Sequence, residues 1–235
     1  MSPPRLCPKL DRKNLLGLGA LFGFIALSWL VFDRPIHSYM MTLDPVVRDV
    51  FRLVTEIGDS TWSIGAGLLL TLLFSAISRW SGGQKRAIAR RLTGMAGFFL
   101  VSVLFSGISV SLIKNMIGRA RPNTFDPARV FEFSPFSFDA AWASFPSGHS
   151  TTAMTVAVAL TLLWPRLTPF WLLLGVLGAL SRVILGVHWP SDAIAGSAYG
   201  AICTLWVAQG FANRGWVFTG PARCFSWPLM QRFFR

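Results

Sequence analysis

Apolar residues in this chain gather into long runs separated by short polar segments. Roughly 20 residues of helix cross a ~30 Å hydrocarbon core. Six runs near that length can be marked: Asn14–Phe32, Ser60–Ser78, Leu92–Ile113, His149–Trp164, Phe170–Val187 and Ser191–Phe211. The fourth is the shortest and is expected to begin a little below the membrane surface. The pattern predicts an all-α fold, a six-transmembrane-helix bundle over residues 14–211, preceded by a basic segment at 1–13 and followed by a basic tail at 212–235. The first run is longer than the apolar region of a signal peptide, and Asp33-Arg34-Pro35 follows it instead of a small-residue cleavage site. It is therefore read as a retained span.

The polar segments orient these spans. Residues 1–13, 79–91, the WPRLTP link and the tail together hold 14 basic residues against one acid, Asp11. Segments 33–59, 114–148 and 182–192 hold 8 basic and 9 acidic residues. Basic residues mark cytoplasmic loops, so both termini are expected in the cytoplasm. The net charge of +12 then reads as a topological signal, and no nucleic-acid partner is expected. Cys7, Cys203 and Cys224 are odd in number and scattered. They form neither a disulfide framework nor a metal pair, and Cys203 reads as a small buried apolar residue. Gly19/Gly23 and Gly196/Gly200 put small residues on one helix face, a pattern that lets helices approach closely. His37 is read as a surface loop residue. Arg119 is read as a solvent-facing loop cation, with a lipid headgroup as its other reading. Trp62, Trp142 and Trp189 suit an interfacial aromatic belt, and Trp189 can also wall a pocket.

Charge at the ends of the spans is harder to dismiss. All three histidines fall on the side opposite the basic loops, and Lys114, Arg121, His149, Arg182, His188 and Asp192 lie at or near span ends on that face. Charges at a membrane edge cost free energy and call for a reason. Three cations against one carboxylate suit a dianion. At ~4 Å each charge contact is worth about 1 kcal/mol in water and ~4 at an effective dielectric of 20. Pro146-Ser147-Gly148 adds a helix N-terminus whose backbone can approach an anion, with Ser147 as a further donor. Two histidines beside a phosphate supply a nucleophile and an acid. Asp192, four residues beyond His188, can hold one ring nitrogen as a donor and free the other. This favours His188 as nucleophile and His149 as acid. A zinc site on His149, His188 and Asp192 is the competing chemistry, but the nearby cations would repel the metal, so no metal or other cofactor is expected.

Lys114 and Arg121-Pro122; Pro146-Ser147-Gly148-His149; and Ser181-Arg182, His188 and Asp192, in this order and spacing, resemble the three-part signature of the type 2 phosphatidic acid phosphatase superfamily. The resemblance implies a metal-independent lipid phosphate phosphatase. It implies His188 as nucleophile, His149 as general acid and Asp192 as the orienting carboxylate. Lys114, Arg121, Ser147, Gly148 and Arg182 would bind the phosphate. The expected protein is a bacterial inner-membrane enzyme acting at the periplasmic face. Its substrate would be phosphatidic acid, phosphatidylglycerol phosphate, undecaprenyl diphosphate or a lipid A phosphate, and loop 123–145 would line the entrance. A phosphotransferase using the same intermediate and a non-catalytic lipid-binding transporter or scaffold are the alternatives. Oligomeric state is not legible in the sequence.

Overall fold

The computed structural model describes residues 12–123 and 130–218, and these residues are helical with no strand among them. Helix α1 (Arg12–Leu27) passes through a π-helical turn, Ser28–Phe32, into α2 (Asp33–Met41). A short α3 (Pro45–Val54) and a 3₁₀ turn, Thr55–Gly58, lead to α4 (Ser60–Trp80) and the long α5 (Gly83–Ile117). Beyond the connecting loop come α6 (Gly148–Leu163), α7 (Thr168–Ile184) and α8 (Pro190–Asn213). Among the described residues four stretches are long and apolar enough to cross a membrane: Arg12–Met41, Pro45–Trp80, Gly83–Ile117 and Pro165–Ile184; Gly148–Leu163 is apolar but shorter. The chain is a multi-pass membrane protein, and leucine and phenylalanine side chains stand exposed along α1 and leucines along α4.

Side-chain size decides which helices meet. Helix α6 packs against α5, α7 and α8. A Cβ on Gly196 or Gly200 would drive into the backbone carbonyl of Ser147 or Thr151, so α8 can approach α6 only because both positions are glycine. On the other flank, a Cβ on Gly175 or Gly178 would sit 2.7 or 2.8 Å from the Cβ of Ala157 or Ala153. Hydroxyls stitch the contact: Thr151 Oγ1 donates to the Gly196 carbonyl at 3.1 Å, and Thr155 Oγ1 to Ser106 Oγ at 3.0 Å. At the far end from the loops, Phe98 meets Phe211 and Phe218 edge-on and packs with Ala159, Val207 and Ala208. Cys203 is buried, while Cys7 and Cys224 lie outside the described residues.

Three expectations about packing are corrected. Gly19 and Gly23 have nothing within 4 Å of an added Cβ. Their face of α1 is open, because only the far end of that helix reaches the bundle. His37 is not in a surface loop. The helix continues past Asp33-Arg34-Pro35, and His37 is buried on α2 with its ring 5.2 Å from that of Trp189. Trp189 is 1% exposed and donates to the Ala120 carbonyl at 3.0 Å, so it belongs to the interior and not to an aromatic belt. Trp62 does stand exposed, its indole donating to the Glu56 carbonyl.

The loop after α5 is pinned in place. Gly118 ends α5 in the left-handed conformation (φ 66°), and any side chain there would collide with the Ser134 carbonyl. Backbone bonds then tie the two sides together: Ala120 N–H to Glu132, Arg121 N–H to Ala141, and Ser144 N–H to Arg119. Of the expected entrance loop, residues 124–129 lie outside the described ones. Phe131 and Phe133 pack on Trp29 of the π-helical turn, whereas Phe136 and Phe138 point outward.

Candidate active site

Most charged residues at the site are carried by helix ends, and Arg121 lies in the loop just beyond α5. Lys114 lies half-buried in the last turn of α5, Arg182 in the last turn of α7, and Asp192 in the first turn of α8. Ser147 caps α6, and its Oγ accepts from Ser150 N–H (3.4 Å) and Ser150 Oγ (3.0 Å). Ser147 caps the helix as an acceptor, and these bonds do not use its own O–H. Gly148 and His149 occupy the first turn, where helix amides have no acceptor within the helix. A Cβ on Gly148 would meet nothing within 4 Å, so the space in front of it is open.

The six expected polar groups converge. His149 lies in the electrostatic reach of Arg182, His188 and Arg121; His188 in that of Arg121 and Arg182; and Lys114 in that of Arg121. Arg121 donates to the Ala143 carbonyl at 3.3 Å, and Arg182 to Thr55 Oγ1 at 2.8 Å. The Nε of each is buried with no acceptor among the described residues. Buried donors without partners are costly, and oxygens of an anion between the two guanidiniums would complete them.

Behind this cationic face His188 is 2% exposed. Its Nδ1 lies 3.4 Å from Asp192 Oδ2. The same oxygen accepts from Ser144 Oγ at 2.5 Å and from the Trp189 amide at 3.0 Å. A carboxylate facing Nδ1 selects the tautomer with hydrogen there, leaving the Nε2 lone pair free. Burial pushes the His188 imidazole down to about 4; Asp192 pulls it the other way, and the Arg121 and Arg182 cations add to the lowering. The ring is neutral at physiological pH, the form that can attack phosphorus.

Sequence reasoning missed several participants. Thr55 anchors Arg182 from the 3₁₀ turn after α3, and the same turn packs on His149, where a Cβ on Gly58 would stand 2.7 Å from the His149 carbonyl. Arg119, expected in solvent, is 2% exposed and bonded to Asp33, Ser191 and Asp192. The reason is electrostatic: two buried carboxylates need a cation between them. An acid directly after the first apolar run was the available signal.

A neutral imidazole backed by a carboxylate and facing paired guanidiniums, on a membrane-spanning helical scaffold, defines a membrane phosphatase. The chain belongs to the PAP2 superfamily, whose sequence profile it matches over residues 96–216, and it is a bacterial membrane lipid phosphatase. It is 36% identical over 211 residues to a lipid A 1-phosphatase of Rhizobium etli, covering 89% of each chain. With one of Rhizobium johnstonii it shares 37% over 212 residues, covering 90% of this chain and 85% of the relative. Among solved structures, a transmembrane PAP2-type phosphatidylglycerolphosphate phosphatase from Bacillus subtilis superposes with a TM-score of 0.56 at 21% identity, covering 83% of this chain and 95% of that one.

Proposed function

We propose that the chain removes a phosphate from a lipid A-type glycolipid, at its 1-position, through a phosphohistidine on His188 at the periplasmic face of the inner membrane. The convergence of Arg121, Arg182, His149 and His188 in front of Asp192 carries this reading. The phosphate sits among Lys114, Arg121 and Arg182 and the first-turn amides at Gly148 and His149, with Ser147 holding that turn in place. His188 Nε2 attacks phosphorus, the ester P–O bond breaks, and His149 gives the departing oxygen its proton. Water then cleaves the P–N bond, with His149 taking the proton back. The cations offset the dianion without a metal. The substrate assignment draws on likeness along nearly the whole chain to two lipid A 1-phosphatases.

In this reading all six runs span the membrane, with α6 and α8 completing the set. Both termini are cytoplasmic, at residues 1–13 and 212–235. The phosphorylated headgroup meets the histidines while the acyl chains stay between helices. Purified protein in EDTA, given lipid A, phosphatidic acid, phosphatidylglycerol phosphate and undecaprenyl diphosphate, should release phosphate fastest from lipid A. His188→Ala should abolish release, and His149→Ala should slow it about 10²–10⁴-fold. Dependence on added metal would overturn the mechanism. Preference for another lipid would overturn the substrate, and label passed to a second lipid would make the protein a phosphotransferase.

A further inference from the structure

Asp192 divides its two oxygens. Oδ2 faces His188, while Oδ1 accepts from Arg119 Nη1 at 2.6 Å. Arg119 is itself held through both terminal nitrogens, while its Nε has no acceptor among the described residues. Nη1 also donates to Ser191 Oγ at 2.8 Å, and Nη2 to Asp33 Oδ2 at 2.7 Å and the Val130 carbonyl at 3.4 Å. Its guanidinium carbon lies 5.5 Å from the ring centre of Trp29 and 5.6 Å from that of Trp189. Asp33, fully buried, secures the preceding residue of α8 as well: Oδ1 accepts the Ser191 amide at 2.9 Å and Oδ2 the Ser191 hydroxyl at 2.6 Å. None of these groups carries phosphate or proton in the mechanism above.

We propose that Arg119, anchored by Asp33 on the first membrane helix, is a positioning residue that fixes the Asp192 carboxylate so that Oδ2 meets His188. The proposal rests on His188 being the nucleophile. A carboxylate bonded only through Oδ2 can turn about its terminal torsion, which is broad and two-fold. A planar guanidinium on Oδ1 removes that freedom, and its second nitrogen, tied to Asp33, prevents Arg119 from following. A lysine keeps the charge but not the fork. Without Arg119 two buried carboxylates are left with no cation between them.

The test compares Arg119→Gln, Arg119→Lys and Asp33→Asn with His188→Ala in the same detergent. It measures phosphate release from lipid A and dioctanoyl phosphatidic acid, and competitive inhibition by inorganic phosphate. Arg119→Gln and Asp33→Asn should each lose about 10–100-fold in kcat, with KM and the inhibition constant within about twofold, because the phosphate-holding cations are untouched. Arg119→Lys should recover part of the rate. Nitrogen shifts of labelled His188 should report one tautomer in the wild type and a mixture in the two variants. An unchanged kcat in either folded variant overturns the proposal. So does a loss of phosphate affinity equal to the loss of kcat, or failure of both variants to fold. Should Arg119→Gln alone fail to fold, the near-isosteric Asp33→Asn decides. Activity surviving in His188→Ala would instead sink the underlying assignment, whatever the other variants do.

Discussion

His188 combines a carboxylate partner with nearly complete burial, and the two pull its protonation in opposite directions; burial wins and takes the imidazole to about 4. A histidine protonated on both nitrogens has no lone pair for phosphorus. The nucleophile should therefore stay competent as pH falls below the ordinary histidine value near 6.5 and be lost only as pH passes through about 4. Histidine-selective NMR of detergent-solubilised protein should find His188 neutral at pH 5.5, and a midpoint near 6.5 would contradict the geometry. Asp192→Asn keeps the shape but removes the charge facing Nδ1, so kcat should fall about 10²–10⁴-fold with little change in KM. At this scale most of the candidate site was legible in the sequence, because Lys114, His149, Arg182 and His188 lie at or near span ends, and Arg121 shortly beyond one, where charge needs a purpose. Arg119 was not. It lies two residues from Arg121 in the same loop, and what separates a solvent cation from a buried one is a partner 86 residues away. Thr55 left no trace either, since a lone threonine carries no spacing to read.

At the scale of helices, the same small-residue spacing has opposite outcomes. Gly196 and Gly200 let α8 lie against α6, whereas Gly19 and Gly23 touch nothing. Gly196→Ala must push the Ser147 carbonyl away and disturb the cap from which His149 projects. It should cost about 1–3 kcal/mol, seen as a lower melting temperature in detergent, and should slow turnover. Gly19→Ala, on an open helix face, should leave the melting temperature within error or raise it slightly, since alanine is the better helix former. The runs themselves could be drawn within a few residues because hydropathy marks them. Helix α3 and the extension through His37 could not, because polar residues in an amphipathic or buried helix look like loop. Helix α3 leaves Val46, Val50 and Leu53 exposed beside Arg48 and Arg52, a pattern suited to the plane of a membrane interface.

For the whole molecule, the charge asymmetry, the exposed apolar belts and the site at one end of the bundle all bear on orientation. In a cysteine-free background, a cysteine at Phe138, which is 86% exposed, should react with an impermeant maleimide added outside spheroplasts. One at Lys85 should react only after the membrane is opened; the reverse result would invert the topology. Which helices touch was beyond sequence reading, since periodicity says what a helix buries and not against whom. The π-helical turn has a consequence of this kind. It swings Asp33 inward from a helix that is otherwise clothed in lipid-facing side chains, so the smallest piece of chain able to turn over substrate begins far upstream of its signature residues. A truncated protein starting near residue 45 would keep Thr55 and every motif from Lys114 to Asp192 and yet be inert, and adding the first helix back as a separate peptide should revive it.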